Sequence, residues 1–499
     1  LIHVTSRGLA LTGGLLPVIA GALFVPGLAP MSAWPSTLLS VAVLLYLMHR
    51  PSQHSAFLIG WLYGVGLFGA GASWVYVSIN VYGQAPPLLA GALTAFFCFG
   101  LAILTGLQMA FYRRCSSELK APSPLLFAAI WVAFEWLRSW LFTGFPWLYA
   151  GYIALDTPAA GWAPVLGVYG LSFTIVGLSA AIGCLALDSG SAPRRRWANT
   201  LIWAAVILLG LPLNAVSWTQ NATAPVTTAL YQPNISLEKK WDRRHFRTIQ
   251  QQYIDNSIPH FENVDLVLWP ESAIPAYRDR VDDYLKQIAS LAQKTETTLI
   301  TGIPTRDESG RYNSIIALGL GTGEYRKQKL VPFGEYVPFE KSLRGLIQFF
   351  DLPMSNFIPG PNVPPILSAG TLSVASFICY EVVYPDFVWK GARTAEVLIT
   401  VSNDSWFGRS MGPLQHLQMA RFRALETGRP LLRGTNNGVS AIIDHKGELL
   451  VTAPQFEEVV ITGEVQPKTG LTPIMWLGST PTLAFCGLLI FATGIRRRR

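Results

Sequence analysis

Residues 371–381 read Thr-Leu-Ser-Val-Ala-Ser-Phe-Ile-Cys-Tyr-Glu, an apolar run that stops at a thiol, a phenol and a carboxylate. A β-rich run of this length predicts a buried strand over Leu372–Cys379. Its carboxyl end is where layered α/β folds keep their reactive groups. Upstream, Asp265-Leu-Val-Leu-Trp-Pro-Glu271 has the same form, a strand that ends on Pro270 and then a carboxylate. Between them lies Glu324-Tyr-Arg-Lys327-Gln-Lys329-Leu-Val-Pro-Phe-Gly-Glu335, which puts three cations beside a rigid Pro332 and Gly334 turn. Taken singly, these are ordinary features: a helix cap, a packed cysteine and a solvated loop.

Working outward, strands are expected at Thr227–Tyr231, Asp265–Trp269, Thr298–Ile303, Asn313–Leu318, Leu372–Cys379, Val397–Val401, Ser440–Asp444 and Val459–Val465. Helices are expected at 242–258, 280–295 and 411–427. Strands alternating with amphipathic helices predict an α/β layered sandwich. The run Gly319-Leu-Gly-Thr-Gly-Glu324 has no helix after it and reads as a hairpin turn, not a nucleotide loop. No G-x-S-x-G elbow, Walker A motif or zinc-ligand spacing occurs.

The rest of the chain has another character. Of 499 residues 51% are hydrophobic and only 14% charged, with a mean hydropathy of +0.34. Ordinary soluble domains carry roughly 25% charged residues, so the shortage argues against a wholly soluble protein. The net charge of +8 would suggest nucleic acid, but the basic excess lies elsewhere. Residues 221–470 hold 25 Lys and Arg against 26 Asp and Glu, and the remainder holds 13 against 4. The excess therefore accompanies apolar segments, which is a topology signal and not a nucleic-acid footprint.

Apolar runs long enough to cross a hydrocarbon core fall at 8–28, 32–48, 56–79, 88–112, 124–141, 165–187, 197–216 and 473–495. Arg7, Arg50, Arg113, Arg114, Lys120, Arg194–Arg196 and Arg496–Arg499 occupy alternate loops, while 29–31, 80–87 and 142–164 contain no Lys or Arg. Eight spans with both termini in the cytoplasm satisfy the positive-inside rule. The first is too long for a signal-peptide core and is expected to stay as an anchor. The expected organisation is a seven-helix membrane domain over 1–220, an extracytoplasmic domain over 221–470, and an eighth helix with a basic tail over 471–499. Cys98, Cys184 and Cys486 lie within spans and Cys115 at the cytoplasmic edge. Cys379 is then the sole thiol in an oxidising compartment, a liability unless it works.

In that order, W-P-E-S, Y-R-K-Q-K-L-V-P-F-G-E and I-C-Y-E resemble the nitrilase superfamily of Glu-Lys-Cys acyl enzymes. With eight spans around it, the chain resembles the apolipoprotein N-acyltransferase family of the bacterial inner membrane. That resemblance implies an αββα sandwich on the periplasmic side. It implies Cys379 as nucleophile, Glu271 as general base and Lys327 as the oxyanion-stabilising cation, because Lys327, and not Lys329, stands three residues before the Leu of L-V-P-F-G-E. Trp241, Glu335, Tyr380 and Glu381 fall on positions the family also needs. The implied reaction is ping-pong: a phospholipid acylates Cys379, and the thioester passes to the α-amine of a diacylated apolipoprotein. No cofactor or metal is implied, and the protein is expected to act as a monomer.

The residue types suit that chemistry without the family. A thiol of ordinary pKa is only a few per cent thiolate at neutral pH and needs a base and a cation nearby. Glu271 and Lys327 supply them, and Glu335 can orient the lysine. Phe349, Phe350, Trp406 and Phe407, beside Pro and Gly, are candidates for a lid that meets lipid. Arg138, one helical turn from Glu135, pairs with that carboxylate or meets a lipid phosphate. A transporter is the rival of a different class, and few charges in the spans and no inverted repeat oppose it. A membrane-bound amidohydrolase is nearer. A papain-like Cys379–His416 pair would leave Glu271 and Lys327 idle.

Overall fold

The computed structural model describes residues 6–50, 54–187, 192–337 and 356–496. The chain divides into two compact units, one of Leu1–Tyr76, Pro86–Val216 and Leu477–Arg499, the other of Val77–Ala85 and Ser217–Trp476.

The first unit is helical. Each of the eight apolar runs carries a helix, the main ones being Ser6–Ala22, Trp34–His49, Ala56–Gly71, Pro87–Ser116, Pro124–Arg138, Ala163–Leu185, Pro193–Leu208 and Thr480–Arg496. Among the described residues, three helical stretches are long and apolar enough to cross a membrane: Pro87–Ser116, Pro158–Leu185 and Pro193–Leu213. A fourth qualifies if Ala56–Gly71 and Val75–Tyr82 form one bent span, and Gly14–Gly27, Trp34–His49 and Thr480–Thr493 are shorter apolar helices. The run expected to continue straight from 56 to 79 thus breaks between Gly71 and Val75. Small residues set the packing, as they must where lipid gives helices no hydrophobic reason to associate. A Cβ on Gly66 would lie 1.9 Å from the Val18 carbonyl oxygen, so only glycine permits that helix approach.

Glu135 and Arg138 do not form the expected ion pair. Glu135 Oε1 accepts from Trp131 Nε1 (2.9 Å) and from the Ala150 amide (2.8 Å). The buried Arg138 guanidinium stacks over Phe68 and Tyr149, 5.2 and 5.3 Å from the ring centroids. Aromatic faces take the Arg138 charge and an indole and a backbone amide take one Glu135 oxygen, in place of a one-turn pairing.

The second unit is an α/β sandwich. Among its described residues, a six-stranded sheet runs in the order Val459–Val465, Val226–Gln232, Leu266–Leu268, Thr298–Arg306, Arg311–Gly319, Glu324–Arg326. A seven-stranded sheet runs Leu449–Thr452, Ala441–Ile443, Leu431–Thr435, Val397–Ser402, Leu372–Ile378, Ile366–Ala369, Gly321–Thr322. Alternation assigns the faces. Leu230, Leu266, Leu268 and Ile300 of the first sheet form one core with Val374, Ile378, Ile399 and Leu432 of the second. Tyr231, Val267, Trp269 and Leu299 point the other way, into helices Phe246–Ser257 and Asp282–Lys294 through Ile249, Tyr253, Leu285 and Ile288. Helices Pro385–Ala392 and Gly412–Thr427 pack against the second sheet and are joined by Trp389 Nε1 donating to Glu426 Oε2 (2.9 Å).

The expected strands and helices are present, mostly shifted by a residue or two, and Gly319–Glu324 is the hairpin turn. The expected list lacks Leu431–Thr435, a fully buried strand with Arg433 and Gly434 inside it. A charge in the middle of a strand hides it from hydrophobic pattern. The centres of both sheets are parallel: Val226–Gln232, Leu266–Leu268 and Thr298–Arg306 in one, Leu372–Ile378, Val397–Ser402 and Leu431–Thr435 in the other. Their carboxyl ends lead to Glu271, Cys379 and Asn403.

Candidate active site

Glu271 leaves the strand Leu266–Leu268 by way of Trp269 and Pro270, and its backbone rests against the next strand. A Cβ on Gly302 would lie 2.5 Å from the Ser272 amide nitrogen and 2.8 Å from Glu271 Cα, so the residue there must be glycine. The carboxylate is 7% exposed and held at both oxygens. Asn313 Nδ2 donates to Oε1 (2.7 Å), and the Asn403 amide donates to Oε2 (2.8 Å) from the other sheet. Burial raises the Glu271 pKa above its ordinary value, with Lys327 opposing and Glu335 adding to the rise. A carboxylate so raised is a better proton acceptor for a thiol.

Lys327 follows the strand Glu324–Arg326 and is 1% exposed. Its amide donates to the Asn313 carbonyl (2.8 Å), which draws this loop onto the strand that also supplies the Asn313 side chain. The ammonium lies 2.8 Å from Glu335 Oε2 and 3.7 Å from Glu271 Oε1. Burial alone would discharge it, but the two carboxylates outweigh burial and raise its pKa. Glu335 is itself anchored by the Val331 amide (2.8 Å) and by Asn313 Nδ2 (2.8 Å). Asn313 thus holds the two carboxylates on either side of one cation.

Cys379 ends its strand with φ of +51°, the left-handed region, at the start of a short 3₁₀ turn. A non-glycine residue there costs about 1–2 kcal/mol and is characteristic of functional turns. Cys379 as a residue is partly buried. Burial and then the Glu271 charge raise its pKa well above the usual thiol value, with Lys327 opposing. The thiol thus lies in the field of a carboxylate and an ammonium.

Other positions named from sequence sort by place. Glu381, fully buried, accepts from Tyr325 Oη (2.7 Å), the Gln328 and Lys329 amides (2.7 and 3.1 Å) and the Ile378 amide (2.9 Å). Tyr380 meets Tyr384 edge to face, with centroids 5.3 Å apart. Trp241 follows the short helix Leu237–Lys240 and is partly buried. Trp406 and Phe407 are also partly buried. The Trp406 carbonyl accepts from Ser78 Oγ (2.7 Å) and its ring meets Tyr82 edge-on at 5.8 Å. Phe349 and Phe350 lie outside the described residues. Arg138 belongs to the helical unit.

Sequence reasoning passed over Asn313, Asn403 and Lys240. Lys240, 2% exposed, donates to the Glu271 carbonyl (2.8 Å), and burial pushes its pKa down to about 8 against the pull of Glu271. Its only sequence signal was adjacency to Trp241. His416 is close to Cys379 but at the backbone: its Nε2 lies 3.2 Å from the Cys379 carbonyl oxygen. Among the described residues, no three His, Cys, Asp or Glu are placed to hold a metal ion.

Two family models match the chain, the apolipoprotein N-acyltransferase N-terminal domain over residues 20–181 and carbon-nitrogen hydrolase over 227–472. Apolipoprotein N-acyltransferase of Pseudomonas aeruginosa (strain LESB58) is 45% identical over 491 residues, covering 96% of this chain and 94% of the relative. That of Vibrio vulnificus (strain CMCP6) is 38% identical over 497 residues, covering 96% of each. Among solved structures, Saccharomyces cerevisiae Nit3 of the nitrilase superfamily is 20% identical, with a TM-score of 0.38, over 51% of this chain and 93% of that one. Identity at this level along nearly the whole length, through both the helical unit and the sandwich, makes this chain a member of the apolipoprotein N-acyltransferase family.

Proposed function

We propose that the protein transfers an acyl chain from phospholipid to the α-amine of the lipid-modified N-terminal Cys of apolipoproteins, through a thioester on Cys379. The observation that carries this reading is the buried Lys327 ammonium between Glu271 and Glu335, acting with Glu271 on the Cys379 thiol. Glu271 takes the thiol proton as sulfur attacks the ester carbonyl. Charge forms on the carbonyl oxygen, where a pre-placed cation such as Lys327 does most for the rate. Collapse expels the lysophospholipid alkoxide, which takes the proton back from Glu271. The amine then attacks the thioester, gives a proton to Glu271, and leaves as an amide while the thiol is restored. Glu335 orients Lys327, Glu381 and Tyr380 fix the turn that carries Cys379, and Trp241 stands beside Lys240, the support of Glu271.

The membrane supplies the substrate class. We infer eight spans, with a membrane domain over 1–220, a periplasmic catalytic domain over 221–470, an anchoring helix over 471–499 and both termini in the cytoplasm. The support is the alternation of basic loops with loops lacking Lys and Arg. Both lipid substrates live in that bilayer, and the monomer carries every residue the chemistry uses. The aromatics Phe349, Phe350, Trp406 and Phe407 are the candidates for lipid contact.

The test is intact-mass analysis of the purified enzyme mixed with labelled phospholipid, followed by a synthetic diacylated lipopeptide. An acyl adduct on Cys379 that disappears as lipopeptide is acylated is expected. Release of free fatty acid alone would identify a membrane amidohydrolase or esterase instead. Turnover by Cys379→Ala would sink the mechanism.

A further inference from the structure

Beneath Cys379 lies a buried polar cluster that the acyl-transfer steps leave unused. His416, Asp404 and Arg433 are 1%, 1% and 0% exposed. They come from the helix Gly412–Thr427, the turn after Val397–Ser402 and the strand Leu431–Thr435. Burying groups of this polarity is costly unless they bond to one another. Arg433 Nη2 donates to Asp404 Oδ2 (2.6 Å) and to His416 Nδ1 (3.0 Å). On the far side of the ring, Nε2 lies 3.2 Å from the Cys379 carbonyl oxygen.

The partners dictate the tautomer. A carbonyl can only accept, so Nε2 carries the hydrogen, and Nδ1, facing an arginine N–H, accepts. Asp404 Oδ1 also lies 3.1 Å from Nδ1, and Arg433 binds the other oxygen of that carboxylate. Burial and the Arg433 charge lower the His416 pKa against the pull of Asp404, in keeping with a neutral ring. Burial would raise the Asp404 pKa, but the Arg433 guanidinium, bound to its Oδ2, opposes burial and the pKa is held at about 2.

Two further observations connect the cluster to the site. Cys379 is held at a φ of +51°, which the surroundings must enforce. Asn403, next to Asp404 in the chain, donates its amide to Glu271 Oε2 (2.8 Å). A single turn therefore touches the base on one side and, through His416, the backbone of the nucleophile on the other.

We propose that His416 is a positioning residue whose Nε2–H holds the Cys379 carbonyl, with Arg433 selecting the tautomer, so that nucleophile and base keep one register. Because a peptide is planar, fixing the Cys379 carbonyl also fixes the direction of the Tyr380 N–H on its opposite edge. The inference rests on Cys379 being the acyl carrier.

The test compares His416→Gln with His416→Asn in the full-length enzyme, since glutamine places an amide N–H where Nε2 stood and asparagine places one only where Nδ1 stood. Single-turnover acylation of Cys379 by labelled phosphatidylethanolamine in detergent micelles is followed by intact mass, per folded enzyme, over a range of donor concentrations. Asparagine is expected to slow the acylation rate constant by about 10²-fold, the effect of an ångström-scale misplacement, with little change in the apparent KM. Glutamine is expected to recover most of that loss. A purely structural role would move both variants alike, through the amount of folded protein, so equal rates per folded enzyme overturn the proposal. Should His416→Asn fail to fold, Arg433→Met gives a second reading. Without the Nδ1 donor the ring turns to donate to Asp404, Nε2 loses its hydrogen, and the same slowing is expected; acylation at the wild-type rate overturns the proposal. The wild-type arm separates the two levels: no adduct on Cys379 removes the functional reading and this inference with it, whereas an adduct with equal glutamine and asparagine rates removes this inference alone.

Discussion

Glu381 Oε1 accepts the Gln328 backbone N–H at 2.7 Å, tying the residue two places after Cys379 to the residue just after Lys327. The same oxygen takes Tyr325 Oη and the Lys329 amide, and the other takes the Ile378 amide. Four donors converge on one buried carboxylate, so the loop of the lysine and the turn of the cysteine share an anchor.

Glu381→Gln puts an NH₂ against at least one of those donors. Leaving a buried donor unsatisfied costs about 1–3 kcal/mol, and the thermal midpoint should fall by roughly 2–4 °C for each kcal/mol in a domain of this size. Acylation of Cys379 per folded enzyme should fall as well, by about 10-fold or more as the lysine drifts. Scanning fluorimetry and intact mass on one preparation check both; a wild-type midpoint would show the anchor to be dispensable.

The acid limb of acylation should reflect Glu271. Its pKa is raised by burial, so the deprotonated form that accepts the thiol proton is lost on lowering pH through a value above the ordinary carboxylate range. The rate should thus decline at a higher pH than an exposed glutamate would allow, and Glu271→Gln should be slow at every pH. A rate that stays flat down to the usual glutamate range would remove Glu271 as base.

Gly302→Ala adds one methyl group against the Ser272 amide and Glu271 Cα. Overpacking of this kind costs about 1–3 kcal/mol. Here the strain moves the backbone of the base, so the acylation rate should fall further than the stability loss explains. A variant with reduced stability and unchanged acylation per folded enzyme would place the strain elsewhere.

Topology is open to thiol labelling. In a variant whose native cysteines are replaced, single cysteines introduced into exposed positions of 221–470 should react from the periplasm with an impermeant maleimide, and cysteines at 188–196 should not. Labelling of both sets from one side would contradict eight spans.

Transfer in place of hydrolysis requires that water be kept from the thioester. Replacing Phe349, Phe350 and Trp406 with Ser should raise free fatty acid relative to acylated lipopeptide while Cys379 still acylates. The Tyr82 edge contact makes Trp406 the residue best held for such a shield. An unchanged product ratio with both products falling together would make these side chains packing or donor-binding groups.

Local pattern was enough for much of this protein. Two apolar runs ending in Glu271 and Cys379 announced strand exits because alternation and chain direction are properties of consecutive residues. Apolar runs likewise marked where the helices of the first unit lie. The partners of those reactive groups were not local. Asn403 reaches Glu271 across 132 positions, and Asn313 reaches it across 42. Arg433 sits in a strand that its own charge disguised, and His416, which on paper could have been the base for Cys379, lies 3.2 Å from that residue's carbonyl oxygen. Sequence alone determined which side chains stand at which strand ends. Only tertiary structure decided which buried donor faces which carboxylate, because satisfying a charge in the core depends on neighbours brought together by folding and not on neighbours along the chain.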